Sequence, residues 1–488
     1  METVDLNCSA NLEQELAQKA GVLESQRHER MGRMVDITLK AIAEGVMSKS
    51  ADILTVMSAG KSGSQYGIRE IVMHEVVRAA NGRLWCPEYV ERLNGEQHLM
   101  VFTGSHWEQV EPQQWKDFVG LCAERCGVPE SHRMNHCFMN PLFEGAAFNL
   151  SRSRKQLIPN DEVWLNVRNG TLVVCKDGSV TLREHRKEDL FTYTLDYSYD
   201  PQADCPLWHA FLDRVLPECE SQKVLAEFIG YALMKDHSFE KMLWLYGEGL
   251  NGKSVTLEIV EALLGSVNVS FLSLSDLTND EVKRAGIEHK KLNISHESGK
   301  DVNPNVLKQL TSGERVLIKH LYMDPRETND YGKFVAAFNV LPRAEVTFGY
   351  FRRLIILPYL VTIPQEEIDR QLTSKLKREL PGILNWVLAS LPQLMTRGEF
   401  TTSTNCDKTL DQYRLQSDNV RLFVSEMCEP SEYSTCSTDL FNAYQNYCSS
   451  SSLRALGRNK FYERLESLVG TPEMYGNMKR FKLKLIES

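Results

Sequence analysis

Met242-Leu-Trp-Leu-Tyr-Gly-Glu-Gly-Leu-Asn-Gly-Lys-Ser-Val-Thr-Leu-Glu-Ile-Val-Glu-Ala-Leu-Leu-Gly265 changes texture twice. Residues 242–246 are a short, unbroken apolar run, as a strand buried on both faces should be. From Val255, apolar residues recur at Leu257, Ile259, Val260, Leu263 and Leu264, which predicts a helix with Gly265 as its C-terminal cap. Between them runs the pattern G-x-x-x-x-G-K-S, from Gly247 to Ser254. A strand before it and a helix after it are the context in which this pattern binds phosphate, and they decide against a glycine turn without nucleotide. Gly247, Gly249 and Gly252 let successive backbone N–H groups aim at phosphate oxygens, and the helix N-terminus adds a partial positive charge. Gly247, Glu248, Gly249, Leu250, Asn251, Gly252, Lys253, Ser254 and Val255 are therefore expected to line a nucleotide. Lys253 would reach the β- and γ-phosphates, and the Ser254 hydroxyl would serve Mg²⁺. Gly60-Lys61-Ser62 imitates the motif, but Thr55 stands where its first glycine belongs, and the stretch reads as a loop.

At 488 residues the chain exceeds a single core, and three or four units are expected. Hydrophobic residues make up 42% and charged residues 25%, as in ordinary soluble proteins. No apolar run approaches the ~20 residues that cross a bilayer. The opening Met-Glu-Thr-Val-Asp-Leu lacks a basic, apolar leader, so no membrane partner and a cytoplasmic location are expected. A net charge of −9 excludes a uniformly basic coat, leaving local clusters or an interior channel for any nucleic acid. The 12 cysteines show no secreted-domain rhythm. Cys122, Cys126, His132, His136 and Cys137 could be spaced for zinc, but they match no C-x₂-C finger, and Cys122 and Cys126 also fit one helix face.

The fold class expected is α/β, in five stretches. Residues 1–160 form an α/β region, helical at first, with apolar stripes at Leu12, Leu16, Ala20 and Leu23 and at Met34, Ile37, Leu39 and Ile42. Strand-like runs follow at Leu84–Cys86 and Leu99–Phe102, where Trp85 and Trp107 read as core. Residues 161–238 read as a mainly helical domain, although Val163–Val174 and Gly178–Leu182 have hairpin texture. Residues 239–395 hold the nucleotide core, 396–436 a helical connection, and 437–488 a separate C-terminal domain.

Within the core, Leu292-Asn-Ile-Ser-His-Glu297 stands where a Walker B strand is expected, and Glu297 is the candidate catalytic base and Mg²⁺ partner. Phe334–Phe338 reads as the next buried strand; Asn339 at its end either senses the γ-phosphate or simply begins the turn before Leu341-Pro342. Arg352 and Arg353 open another apolar strand and are either solvated charge or an arginine finger supplied in trans. Near the C-terminus two helical stretches precede Arg480-Phe-Lys-Leu-Lys-Leu-Ile486, which alternates basic and apolar residues as a winged helix would. Residues 451–488 carry eight Lys/Arg against four Glu, a net +4, and Lys482 and Lys484 are candidates for contacting DNA, with protein docking the rival reading.

These features resemble the superfamily-3 helicases of phages, plasmids and other mobile elements, in particular the helicase half of the phage/plasmid primase-helicases. The resemblance spans about 165–470 and rests on the loop 247–254, Leu307-Lys-Gln-Leu-Thr-Ser-Gly-Glu-Arg-Val316, Asn339 with Leu341-Pro342, and Arg352-Arg353. Outside the core it extends to Tyr197–Trp208, with Asp200-Pro201 and Cys205-Pro206, to Pro381–Trp386 and to Gln412–Asn419. It implies an AAA+-type P-loop core that uses ATP and Mg²⁺, forms a hexameric ring and moves 3′ to 5′ on single-stranded or forked DNA, with a primase or other replication protein as partner. It also implies a DNA-contacting hairpin at about Val316–Glu327, carrying Lys319, His320, Tyr322 and Arg326. His296 replaces an acidic residue, and no primase motif occurs in the N-terminal third. The expectation is an ATP-dependent DNA helicase; the rivals are an AAA+ loader, remodeller or defence ATPase that separates no strands, and an origin-binding protein.

Overall fold

The computed structural model describes residues 29–58, 64–86, 99–151, 158–159, 161–296, 302–321, 323–342, 348–450, 455–476 and 478–486. The stripe over 12–23, Gly60-Lys61-Ser62, Glu297 and Tyr322 lie outside the described residues. One unit comprises residues 1–173 and 180–199; the other comprises 174–179 and 200–488.

The first unit opens with helices α1 (29–44), α2 (Ser50–Ser58) and α3 (Ser64–Ala80). Strands β1 (Leu84–Trp85), β2 (Leu99–Phe102) and β3 (Trp107–Val110) form an antiparallel sheet in chain order. Then come α4 (Pro112–Cys126), α5 (Glu130–Arg133), α6 (His136–Leu150) and a three-stranded sheet of β4 (Glu162–Val167), β5 (Gly170–Cys175) and β6 (Val180–Arg183). Ile68, Val72, Val76 and Ala80 recur every fourth residue, so α3 turns one apolar face to the core, where Trp115, Phe118, Val119, Cys122 and Cys126 of α4 meet it. The α1 stripe differs from the expected one. Val35, Leu39 and Ile42 keep the four-three rhythm and are buried, whereas Met34 and Ile37 fall on the opposite face and are exposed. Trp85 and Trp107 pack edge to face in the core, as expected.

The second unit begins with α7 (Pro206–Val215) and α8 (Cys219–Leu233). The expected helical stretch 161–238 thus divides, its strands going with the first unit and its helices with the second. The core follows as β7 (Met242–Tyr246), α9 (Lys253–Leu264), β8 (Val269–Ser270), α10 (Leu274–Asn279), α11 (Glu281–Arg284), β9 (Leu292–His296), α12 (Pro304–Thr311), β10 (Val316–Ile318), β11 (Arg326–Thr328), β12 (Lys333–Phe338), α13 (Phe348–Phe351) and β13 (Leu354–Pro358). Helices α14 (Leu372–Leu376), α15 (Leu380–Arg397) and α16 (Thr404–Ser417) come next. Five strands make a parallel sheet in the order β13-β7-β12-β9-β8, with β7 inside it. Every residue of β12 and β13 is buried, as strands covered on both faces require.

The polar residues of β9 have a local cause. Asn293 Oδ1 accepts from Ser270 Oγ at 2.9 Å and Leu272 N at 3.0 Å; Asn293 Nδ2 and Ser295 Oγ donate to Leu272 O at 2.9 and 2.6 Å. The two side chains satisfy backbone that the two-residue β8 leaves without a strand partner.

The chain ends in α17 (Asn419–Met427), β14 (Cys428–Cys436), α18 (Ser437–Ser450), α19 (Arg458–Val469), β15 (Glu473–Tyr475) and β16 (Met478–Leu485). The strands form an antiparallel sheet in the order β14-β16-β15. Val420, Phe423 and Cys428 share one core with Phe441, Tyr444, Phe461, Phe481 and Leu483. This module therefore starts near residue 419, and residues 428–436, expected within a helical connection, are instead a strand. Among the described residues no helix is long and apolar enough to cross a membrane.

Candidate functional site

The C-terminal edge of the parallel sheet gathers the glycine loop, Lys253, Ser254 and Asn339. In open α/β sheets, ligands bind outside this edge. Strand β7 ends at Tyr246, and the chain turns at Gly247, where a Cβ would lie 2.2 Å from Tyr359 O. Tyr359 follows β13, donates its N–H to Tyr246 O at 2.7 Å and accepts from Asn251 Nδ2 at 3.3 Å. Gly252 has φ +88°, and a Cβ there would meet Phe211 and Val215 of α7 at 3.0 Å. Gly247 and Gly252 are thus required by close approach and by a left-handed backbone. Gly249 is not, since a Cβ there meets nothing within 4 Å. The other left-handed residue of the loop is Leu250, at φ 58°.

Helix α9 starts at Lys253 and ends at Gly265, as expected. Lys253 is buried; its ammonium donates to Asn251 Oδ1 at 3.1 Å, Asn339 Oδ1 at 3.1 Å and Glu248 O at 3.3 Å, and also to Gly247 O. Asn339 follows the last residue of β12, which pairs with Tyr246 of β7. The structure therefore brings Lys253 and Asn339, 86 residues apart, into hydrogen-bond contact. Ser254 is exposed at the second position of the helix, where backbone N–H groups have no intrahelical partner. Strand β9 ends at the same edge, His296 pairing with Ala337. The loop's backbone, Lys253 and Ser254 are the residues here that could hold a polyphosphate and its cation.

Arg352 and Arg353 lie at the other edge of the sheet, because Leu354 pairs with Met242 and Arg353 O accepts from Met242 N. Five residues of strand separate them from Gly247, roughly 16 Å. The two arginines have different environments. Arg353 has 12% of its side chain exposed; it donates to Ser312 Oγ at 2.8 and 3.1 Å and to Gly349 O at 2.6 Å. Arg352 is 43% exposed and pairs only with Glu240 among the ion pairs of the described residues.

Strands β10 and β11 pair antiparallel as the expected hairpin, Val316 with Thr328 and Ile318 with Arg326. Lys319 is exposed at its turn. His320 and Arg326 are engaged elsewhere: both pair with Glu288, a carboxylate only 6% exposed, at 3.1 and 2.6 Å. On β16, Phe481 and Leu483 are buried while Lys482 and Lys484 are exposed; Lys482 pairs with Glu473 at 3.1 Å, and Lys484 lies opposite Glu429.

Cys122 and Cys126 sit in the apolar core of the first unit, and burial pushes both thiols up, that of Cys126 to about 11. His132 packs against Phe138, and His136 hydrogen-bonds Asn140. Among the described residues, the group that brings three potential metal-ligand atoms within 4.8 Å is instead Asp204, Cys205 and His209. The sequence reading assigned that group no ligand role. It also missed Tyr359, whose carbonyl braces the glycine loop; the available signal was a polar-tipped aromatic directly after an apolar strand.

A family model described as "D5 N terminal like" matches residues 86–217, and a second, a family of unknown function (DUF5906), matches 245–353. The second stretch holds the glycine loop, the hairpin, Asn339 and the arginine pair. A curated protein of Acanthamoeba polyphaga mimivirus, named "Putative helicase L207/L206", is 24% identical over 196 residues, which are 38% of this chain and 20% of that protein. The chain thus aligns with about a fifth of the length of that relative. Among solved structures, an apo A-form structure of the NrS-1 C-terminal region (305–718) is 9% identical, with a TM-score of 0.46, covering 85% of this chain and 99% of that one. Another apo structure of the same region is 11% identical, with a TM-score of 0.46, covering 82% and 86%.

Proposed function

We propose that the protein is an ATP-dependent DNA helicase of the superfamily-3, phage/plasmid primase-helicase type, acting in replication of a mobile element. The observation that carries this reading is the contact of Lys253 with Asn339 beyond the C-terminal ends of adjacent parallel strands, above a glycine loop that opens a helix. A lysine that neutralises the β- and γ-phosphates and an amide that touches the γ-phosphate or attacking water belong within reach of each other. The similarity to a viral protein named as a helicase agrees with it.

In this reading the N–H groups of residues 247–255 cradle the phosphates of ATP, Ser254 and Glu297 serve Mg²⁺, and Glu297 activates water. Mg²⁺ held by Ser254 and Glu297 would neutralise phosphate charge. An arginine at the far edge of the sheet reaches no phosphate of its own loop, so a finger role requires a neighbouring subunit in a ring. Arg352, with the greater exposure, suits that role, and Arg353 braces its own subunit. The hairpin tip at Lys319 grips single-stranded DNA during 3′ to 5′ movement. The C-terminal module, three helices with a β14-β16-β15 sheet, is read as a winged helix whose exposed Lys482 and Lys484 contact duplex.

The test is unwinding of a forked duplex with ATP and Mg²⁺ by the full chain, beside Lys253→Ala. Strand separation by the wild type alone supports the reading. ATP hydrolysis without strand separation would favour a loader or remodeller instead.

A further inference from the structure

Two stretches noted in the sequence without an assigned role, around Cys205-Pro206 and Pro381–Trp386, meet in the structure. Cys205 is the N-cap of α7, Pro206 is its first residue, and His209 N donates to Cys205 O at 3.0 Å. The first turn therefore carries thiol and imidazole on one face, four residues apart. Cys205 Sγ and His209 Nε2 are 3.7 Å apart, and a carboxylate oxygen of Asp204 lies within 4.8 Å of both. With Zn–S near 2.3 Å and Zn–N near 2.1 Å, two ligands of a tetrahedral zinc stand about 3.6 Å apart.

The turn is also held in place from outside. Asn385 Nδ2 donates to Asp200 O and Ala203 O, both at 2.9 Å. Glu379 accepts from the N–H groups of Leu207 and Trp208 at 3.1 and 2.9 Å. At Gly382 of α15 a Cβ would lie 2.3 Å from Asp204 O, so only glycine lets the helix approach this closely. Such support fixes ligand orientation before an ion arrives.

We propose that Asp204, Cys205 and His209 form a Zn²⁺ site, with water as fourth ligand, that locks the first turn of α7. Thiolate, imidazole and carboxylate are a zinc ligand set, and the buried sulfur disfavours the oxygen-seeking Mg²⁺ and Ca²⁺. Binding exchanges the thiol proton for the metal: Cys–SH and Zn²⁺ give Cys–S–Zn⁺ and H⁺. Farther along α7, Phe211 and Val215 would meet a Cβ at Gly252 at 3.0 Å, so the site steadies the helix that backs the glycine loop.

The test strips the full chain with a chelator and titrates it with Co²⁺. One equivalent is expected to produce a thiolate-to-cobalt absorption band that Zn²⁺ abolishes. Cys205→Ser and His209→Gln should each lose it, and Zn²⁺ should raise the melting temperature of the wild type by several degrees but not that of His209→Gln. No band at one equivalent, or a band undiminished in both variants, would overturn the site and leave an S–H···N hydrogen bond as the whole of the contact. If Cys205→Ser fails to fold, His209→Gln decides alone, because His209 is only partly buried and its loss opens no cavity in the core.

Discussion

The Lys253 ammonium rests among four protein oxygens, two from loop carbonyls and two from the amides of Asn251 and Asn339, and a nucleotide must take their place. The sequence left Asn339 open between γ-phosphate sensor and turn residue, and the structure places its amide on Lys253. The cage was not legible, because its carbonyls belong to backbone whose direction depends on Tyr359. Lys253→Ala is expected to abolish ATP hydrolysis, measured as phosphate release, since it removes the charge that offsets the transferring phosphoryl group. Arg352→Ala should lower hydrolysis on the order of 10³-fold. Activity should partly return when that variant is mixed with Lys253→Ala under conditions of subunit exchange; no recovery would count against a shared site. Arg353→Ala should differ by also lowering the melting temperature, since its hydrogen bonds to Ser312 and Gly349 are lost, about 1–3 kcal/mol. Lys333 adds a pH dependence. It lies buried at the start of β12, donating to Met234 O at 2.8 Å, and burial brings its pKa down to about 7. In the unfolded chain it titrates near 10.5. Between pH 7 and about 10 the unfolded chain therefore holds a proton that the folded chain lacks, and stability rises with pH by up to about 1.4 kcal/mol per unit from this residue. Urea midpoints at pH 7 and 9 should show that rise flattened in Lys333→Met.

Elements are where the pattern of apolar residues spoke most clearly. Strands β7, β12 and β13 were visible as apolar runs, while β14 was hidden. Glu429-Pro-Ser-Glu-Tyr433 is polar and contains a proline, and such a stretch pairs only at a sheet edge, with the register shift found between Pro430 and Thr435. The hairpin was legible as strand and turn, but the partners of its side chains were not, because Glu288 lies far back in the sequence. That separates three residues proposed together. Lys319→Ala should abolish unwinding and DNA-stimulated hydrolysis while sparing nucleotide binding and the melting temperature. His320→Ala and Arg326→Ala each remove one of two hydrogen-bonding partners from a buried carboxylate and should lower the melting temperature, with Arg326→Ala the larger effect given its 2.6 Å contact. Equal melting temperatures for all three variants would show that Glu288 does not depend on the hairpin.

For the whole molecule, the shared core of residues 419–485 decides where the chain can be cut. Ending it at 436 would strip β14 of its partner β16 and uncover Val420, Phe423 and Cys428, so that truncation should aggregate. Ending it at 417 removes the module entire. That shorter protein should stay monodisperse in size-exclusion chromatography, retain its basal hydrolysis and bind duplex more weakly, with a shallower dependence on salt. Unchanged duplex affinity over several salt concentrations would make the module a docking domain for protein.

Leu250 gives the loop a mechanical bias. A left-handed backbone costs a residue with a side chain about 1–2 kcal/mol, and Leu250 meets that cost at an exposed tip, where its side chain recovers little by packing. The loop is in effect a cocked spring. Any rearrangement that returns Leu250 to a negative φ is driven by that energy, and glycine at the same position would uncock it, leaving the resting shape more comfortable and less inclined to change.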